Sequence, residues 1–262
     1  MKHLISEFLE RLCLKNKNVY LWFRDDDVGR NTLKLKKMIQ YFDCKDKSIL
    51  LAVIPTLIDE EITSLINNND RLMVGQHGFS HINYALDNES KSEYPYSRCN
   101  ASTITEIMLG KKIIETAFKE KFLDVFIPPY FEIDKHILQM INGSFKWYSG
   151  WWTNSIVGEF VFINAQIDFV NWNEINTYGG ADFVELQLIR ELKVLEKSNC
   201  YSSIVIGIVL HHEYCEEDSY KELDWIISLS NFHKNLMIIS PTQLYDLVTN
   251  DKVVVNHEDN ID

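Results

Sequence analysis

An α/β fold built on a parallel sheet is predicted for this chain of 262 residues. Three observations predict it. Short β-rich apolar runs alternate with stretches of helical period along most of the sequence, the pattern of repeated strand–helix units. No linker, internal repeat or low-complexity stretch interrupts the alternation, so a single domain is expected over 1–250, with an acidic tail over 251–262. Hydrophobic residues make up 46% and aromatics 12%, enough to fill one sizeable core. The alternation alone leaves open whether the sheet stays open or closes into a barrel.

The elements follow in order. Leu4, Ile5, Phe8, Leu9 and Leu12 recur at helical spacing with acids between them. They read as a helix and not as a secretory signal, which needs a continuous apolar run and a small-residue cleavage site. A strand over 19–24 and a helix over 32–42 come next. The strand over 48–54 is stopped by Pro55, and a helix over 60–66 leads to a third strand over 71–76. The polar stretch 83–100 is too long for an ordinary connection, and such loops are often functional. A helix over 104–119 precedes a short strand over 125–127, halted by Pro128 and Pro129, and then a helix over 134–141. The aromatic-rich segment 146–172 is expected to carry two or three short strands. Within it, Trp147, Tyr148, Trp151 and Trp152 read first as barrel core or subunit contact, and second as a sugar platform. An amphipathic helix over 181–197, a buried strand over 203–210, a helix over 221–229 and a strand over 236–239 complete the alternation. Pro241 opens a last helix, where its missing N–H costs nothing. The last twelve residues hold four acids and one lysine and read as a frayed tail.

Composition narrows the function classes. Acids outnumber bases 38 to 26, for a net charge of −12 and a pI near 5.1, so no nucleic-acid partner is expected. No transmembrane segment is expected either, since the longest apolar runs, such as 204–210, are strand-length; about 20 residues are needed to span a bilayer. The five cysteines are scattered with no C-x-x-C pair. That speaks against a disulfide framework and a cysteine zinc site, and for a reducing, cytoplasmic setting. A homo-oligomer stays open.

Five segments carry chemistry. Asp25, Asp26 and Asp27 stand side by side at the end of the first strand. Adjacent carboxylates repel one another unless protons or a cation intervene, and parallel α/β folds place their sites at such strand ends. The competing reading is a solvated loop leading into a helix. His77 and His81 follow the third strand, four residues apart. On a helical turn they would face the same way, close enough to hold one metal. With one carboxylate they make three ligands and leave a position for water, as catalytic sites do. Pro128 and Pro129 fix a rigid loop from which the N–H of Tyr130 could serve as an oxyanion donor. The fourth segment runs from Asp168 to Trp172, and the fifth is Leu210-His211-His212-Glu213. Histidines ending a buried strand need partners, so core and catalytic roles compete for them.

In this order the segments resemble the motifs of the polysaccharide deacetylases, carbohydrate esterase family four, over residues 24–212. T-F-D-D-G is similar to Arg24-Asp25-Asp26-Asp27-Val28, and H-[ST]-x-x-H is matched by His77 and His81, with Gly78 in place of the hydroxyl residue. R-P-P-Y is similar to Ile127-Pro128-Pro129-Tyr130. D-x-x-D-W compares with Asp168 to Trp172, with Asn171 for the second acid, and L-x-H with Leu210-His211-His212. The resemblance implies a distorted (β/α) barrel of about seven parallel strands. It also implies one divalent metal, usually zinc, and removal of N-acetyl from a sugar or glycan precursor. By position Asp27, His77 and His81 would hold the metal and Asp26 would be the general base; sliding the register by one hands these roles to Asp25 and Asp26. The general acid would be His211 by the usual L-L-H-D pattern, or His212 by literal spacing. Pro129, Tyr130, Asp168 and Trp172 would meet the substrate together with Arg24. Ile127 stands where the family has an arginine that pairs with the catalytic aspartate. Arg24, two residues before Asp26 and on the same face of a strand, is expected to supply that cation from inside the barrel. Two alternatives remain: a metal-dependent hydrolase of another amide, imide or ester, and a non-catalytic glycan-binding member of the fold.

Overall fold

The computed structural model describes residues 1–30, 32–150, 155–157, 160–173 and 177–250, with the backbone alone at 155–157 and 160. The chain begins with α1 (Lys2–Leu14), β1 (Asn18–Val28), α2 (Thr32–Cys44), β2 (Ile49–Val53), α3 (Glu60–Asn67) and β3 (Leu72–His77). After the long loop come α4 (Ala101–Phe118), β4 (Phe122–Ile127), α5 (Lys135–Met140) and β5 (Trp147–Tyr148). A run of short strands follows: β6 (Ser155–Val157), β7 (Phe160–Phe162), β8 (Ile167–Asp168), β9 (Val170–Asn171) and β10 (Thr177–Tyr178). The last third holds α6 (Ala181–Lys197), β11 (Ser203–His211), α7 (Glu217–Phe232), β12 (Leu236–Ile238) and α8 (Pro241–Asn250). No helix among the described residues is long and apolar enough to cross a membrane.

The main sheet runs β6-β7-β5-β4-β3-β2-β1-β11-β8, with β12 beside the start of β1. From β7 to β8 every neighbouring pair is parallel, and β12 joins β1 in parallel, giving nine parallel strands against about seven expected; only β6 runs antiparallel, to β7. The sheet curls into a half-barrel in a single α/β domain, the distorted barrel expected. Strand alternation divides β1 between two cores. Val19, Leu21 and Phe23 face outward into an apolar layer shared with α1, α2, α6 and α7. Trp22 faces inward, with Leu50, Ala52, Val125, Ile127, Trp147 and Val205. Tyr20, Met73 and Leu123, at the strand starts, meet Leu244 and Val248 there, so α8 closes that end of the barrel. The strands' other end is left for polar residues.

Element boundaries agree closely with the hydrophobic periods, and the differences have physical causes. β1 does not stop at Arg24 but continues to Val28, since each of the three aspartates finds a partner. Helix α7 starts four residues earlier than its apolar period, at Glu217, because Glu216 and Ser219 form a capping box. α4 starts at Ala101, where the Asn100 side chain accepts from Thr103 N–H. His77 and His81 do not share a helical turn: His77 ends β3, and the chain then curls through Gly78 and His81, both left-handed at φ 57°. Trp147 and Tyr148 are buried in the core, Trp147 with its ring 6.3 Å from that of Trp22. Trp151 and Trp152, and the tail 251–262, lie outside the described residues.

Candidate active site

At the top of β1, Arg24, Asp25 and Asp26 are fully buried, and each points to a different partner. Alternation carries Arg24 and Asp26 into the barrel beside each other. Arg24 Nε lies 2.7 Å from Asp26 Oδ1, and Nη2 donates to Oδ2 at 3.1 Å, a bidentate pair. The guanidinium's remaining nitrogen, Nη1, donates to Ser149 Oγ at 2.6 Å, and the Phe131 ring lies 5.6 Å away. Asp25 faces the helical layer. There the backbone N–H and Nδ1 of His212 each donate to one of its oxygens at 2.8 Å. His212 Nε2 in turn donates to the Arg30 carbonyl at 2.8 Å. Both ring nitrogens therefore face acceptors, which requires the imidazolium. Burial pulls the His212 ring down, but the Asp25 charge and hydrogen bond outweigh it and raise the ring to about 9. Burial pushes Asp25 up against the pull of His212; with one N–H donor on each oxygen, the carboxylate is the form the contacts require.

Asp27 breaks the alternation. Its φ of 62° and a register shift against β2 between Asp25 and Val28 mark a bulge. The bulge re-aims the side chain, as bulges near sites do. The carboxylate turns to His81 Nε2 at 2.8 Å and His77 Nε2 at 3.3 Å. His77 Nδ1 donates to the Ile127 carbonyl at 3.1 Å, which fixes the ring. One ligand atom from each of Asp27, His77 and His81 lies within 4.8 Å of the others. The donor chemistry fits a divalent metal. With Nδ1–H spent on Ile127, a neutral His77 turns the bare lone pair of Nε2 toward a carboxylate oxygen, and two acceptors face each other unless a proton or cation lies between. Burial pushes Asp27 up, yet the two histidines hold it well below the usual carboxylate range. Burial lowers His77, but its bond to Asp27 and the charges of Asp26 and Asp27 raise it on balance. Two imidazoles and one carboxylate are a zinc-type set with coordination to spare.

Across the strand register, Asp26 is paired with His211 at the end of β11. His211 Nδ1 lies 3.8 Å from Asp168 Oδ1, and the ring packs edge-on against Trp172 at 4.8 Å between centroids. Asp168 is buried and held by Val170 N–H (2.8 Å) and Trp172 Nε1 (2.7 Å). Trp172 keeps 42% of its surface exposed. Pro129 is buried, and Tyr130, left-handed at φ 58°, sets its ring at a tilt against that of His81, 4.7 Å between centroids, and donates its hydroxyl to the His81 carbonyl at 3.1 Å. The turn's own hydrogen bonds use the N–H groups of Phe131 and Glu132, which leaves that of Tyr130 outside them.

The structure thus brings together Asp27, His77 and His81, and separately Arg24 with Asp26 and Asp168 with His211. It sets Asp25 and His212 apart as a sealed pair. Two participants and one contact carry no signal in the sequence: Ser149, which tethers Arg24; Glu93, which binds the amides before and at His81; and the approach of Asp168 to His211.

No family model matches the sequence, and no curated protein matches it. Solved structures do. A family 4 acetyl xylan esterase from Clostridium thermocellum, solved with a cobalt ion, superposes at a TM-score of 0.56 with 14% identity, over 91% of this chain and 99% of that one. An allantoinase superposes at 0.67 with 11% identity, over 90% and 92% of the two chains. A family-four pseudoenzyme from Bacillus anthracis superposes at 0.55 with 13% identity, over 90% and 66%. A mutant of that pseudoenzyme described as having restored enzymatic activity superposes at 0.55 with 14% identity, over 91% and 69%. The chain has the fold of carbohydrate esterase family four. That fold carries active and inactive proteins alike, so residues must decide between them.

Proposed function

We propose that the protein is a metal-dependent hydrolase that removes an acetyl group from the nitrogen of a saccharide, as a divergent member of the family whose fold it has. The observation that carries this reading is the convergence of Asp27, His77 and His81 on one point, next to the Arg24–Asp26 pair. A non-catalytic binding module has no need of a buried carboxylate–guanidinium pair beside a ligand set.

Asp27, His77 and His81 would hold one divalent cation, zinc by its donor set. Such an ion supplies Lewis acidity, polarising the scissile carbonyl and acidifying water. The rest is done by side chains. Asp26 takes the proton of the attacking water, with Arg24 fixing the carboxylate's direction and balancing its charge. As the carbonyl carbon becomes tetrahedral, the Tyr130 N–H donates to its oxygen, a contact of the kind worth about 2.7–4 kcal/mol of barrier. His211 gives a proton to the nitrogen as the C–N bond breaks, since an amide leaves poorly without an acid. Acetate and a free amine result. Asp168 keeps the His211 ring in place, and Trp172 offers its exposed face to the sugar beside it. Five free cysteines accord with a reducing, cytoplasmic setting.

The test is acetate release from N-acetylhexosamine-containing saccharides by untagged protein, lost with chelator and restored by zinc. Metal-loaded protein that is inert across a broad panel of such glycans would overturn the reading. The allantoinase among the similar folds, at a TM-score of 0.67, favours another amide or imide as the second substrate class, and the same assay run on cyclic ureides distinguishes it.

A further inference from the structure

Glu93 lies in the long loop between β3 and α4, sixteen residues beyond His77 in the sequence, and its side chain is completely buried. Among the described residues its carboxylate forms no ion pair. Instead it accepts from three consecutive backbone amides. Phe79 N–H reaches its two oxygens at 3.3 and 3.2 Å, Ser80 N–H donates at 2.7 Å and His81 N–H at 3.1 Å. The Ser80 hydroxyl adds a fourth donor at 3.0 Å. Successive N–H groups that converge on one anion form a concave nest, a conformation the chain adopts only by curling tightly. Here the curl is bounded by left-handed Gly78 and His81. A Cβ on Gly78 would stand 2.1 Å from Glu93 Oε2 and 2.6 Å from the Pro129 ring, so the glycine makes room for the carboxylate. The His81 carbonyl is held from the other side by the Tyr130 hydroxyl. Both polar groups of the His81 backbone are thereby fixed, and the ring has one direction left, toward Asp27.

We propose that Glu93 is a positioning residue of the metal centre: by gathering the amides of residues 79–81 it aims His81 Nε2 at Asp27 and so sets the affinity for the divalent cation. It does from further along the same loop what a side-chain hydroxyl at Gly78 cannot do here. The inference rests on the reading that Asp27, His77 and His81 bind a cation, and the experiment separates the two.

Zinc is titrated calorimetrically into metal-free wild type, Glu93→Gln, Glu93→Asp and Ser80→Ala, and thermal unfolding of each metal-free chain is recorded in parallel. Glu93→Gln keeps the shape but turns an amide NH2 toward N–H donors. It is expected to weaken zinc binding about 10–100-fold, the usual loss when a partner of a ligand is removed. Glu93→Asp and Ser80→Ala should fall between it and wild type. If affinity is unchanged in folded Glu93→Gln, or only the metal-free stability falls, Glu93 is a brace and the inference is overturned while the metal site stands. If Glu93→Gln does not fold, the two milder variants decide, and unchanged affinity in both overturns it. A wild type that binds no zinc overturns the metal reading itself and this inference with it.

Discussion

Asp26 and Arg24 grip each other through two nitrogens and two oxygens inside the barrel, with Ser149 securing the third nitrogen. A lysine there keeps the charge but loses the fork. Arg24→Lys is therefore expected to lower kcat by at least about 10-fold and Arg24→Met by about 100-fold or more. Both should bind zinc with wild-type stoichiometry, because Arg24 is not among the proposed ligands. Full turnover in the methionine variant would remove Arg24 from the mechanism. On the leaving-group side, His211→Asn should cost about 100–10,000-fold on an N-acetyl sugar. It should cost far less on an aryl acetate, whose phenolate leaves unaided. Equal losses on both substrates would deny His211 the role of acid.

The elements behave differently in their legibility. Strand and helix ranges followed from the period of apolar residues, because burial on one face is recorded in the sequence itself. Asp27, His77 and His81 were legible together through the resemblance of the motifs, which left the aspartate register open between Asp25–Asp26 and Asp26–Asp27. The bulge at Asp27 is what brings that residue to the two histidines. What the sequence withheld is conformation that depends on distant chain. The H-x-x-x-H spacing suits a helical turn, yet the turn is left-handed at both Gly78 and His81, and the acid that holds it comes from a loop with no periodicity. Asp25 and His212 are another case. Either spacing rule could have made each a catalytic group, and only the pairing of β1 with β11 shows that they neutralise one another. That pair has a measurable pH signature. A ring raised from 6.5 to about 9 stabilises the fold fully below pH 6.5, and the contribution is lost as pH rises through 9. The loss should be on the order of 3 kcal/mol. Urea midpoints measured from pH 6 to 9.5 should fall in wild type and stay flatter in His212→Asn, which starts less stable. Parallel curves for the two proteins would contradict the imidazolium.

For the whole molecule, a cation that binds only the folded chain adds to its stability by mass action. At free zinc one hundred times the dissociation constant the gain is about 2.7 kcal/mol, which for a domain of this size raises the melting temperature by about 5–10 °C. His81→Ala should abolish that rise and also lower the metal-free melting point, since the buried His81–Asp27 pair goes with it, as read by calorimetry with and without zinc. A rise that persists in the variant would place the binding elsewhere. The fold tolerates this arrangement because its two ends have separate tasks: α8 and the tryptophans fill one end of the barrel, and charged pairs occupy the other.

Asp25 meets its counter-ion 187 residues downstream, on the far side of β11. At about 5–20 residues per second a ribosome needs roughly 10–40 s to supply it. Throughout that interval the emerging N-terminal portion holds three crowded carboxylates and no neighbour on one flank of β1. Burial of Asp25 as a carboxylate therefore waits until β11 and His212 have been made. A nascent chain cut before β11 can shelter Asp26 on Arg24 and Asp27 on His77 and His81, but it leaves Asp25 without its cation.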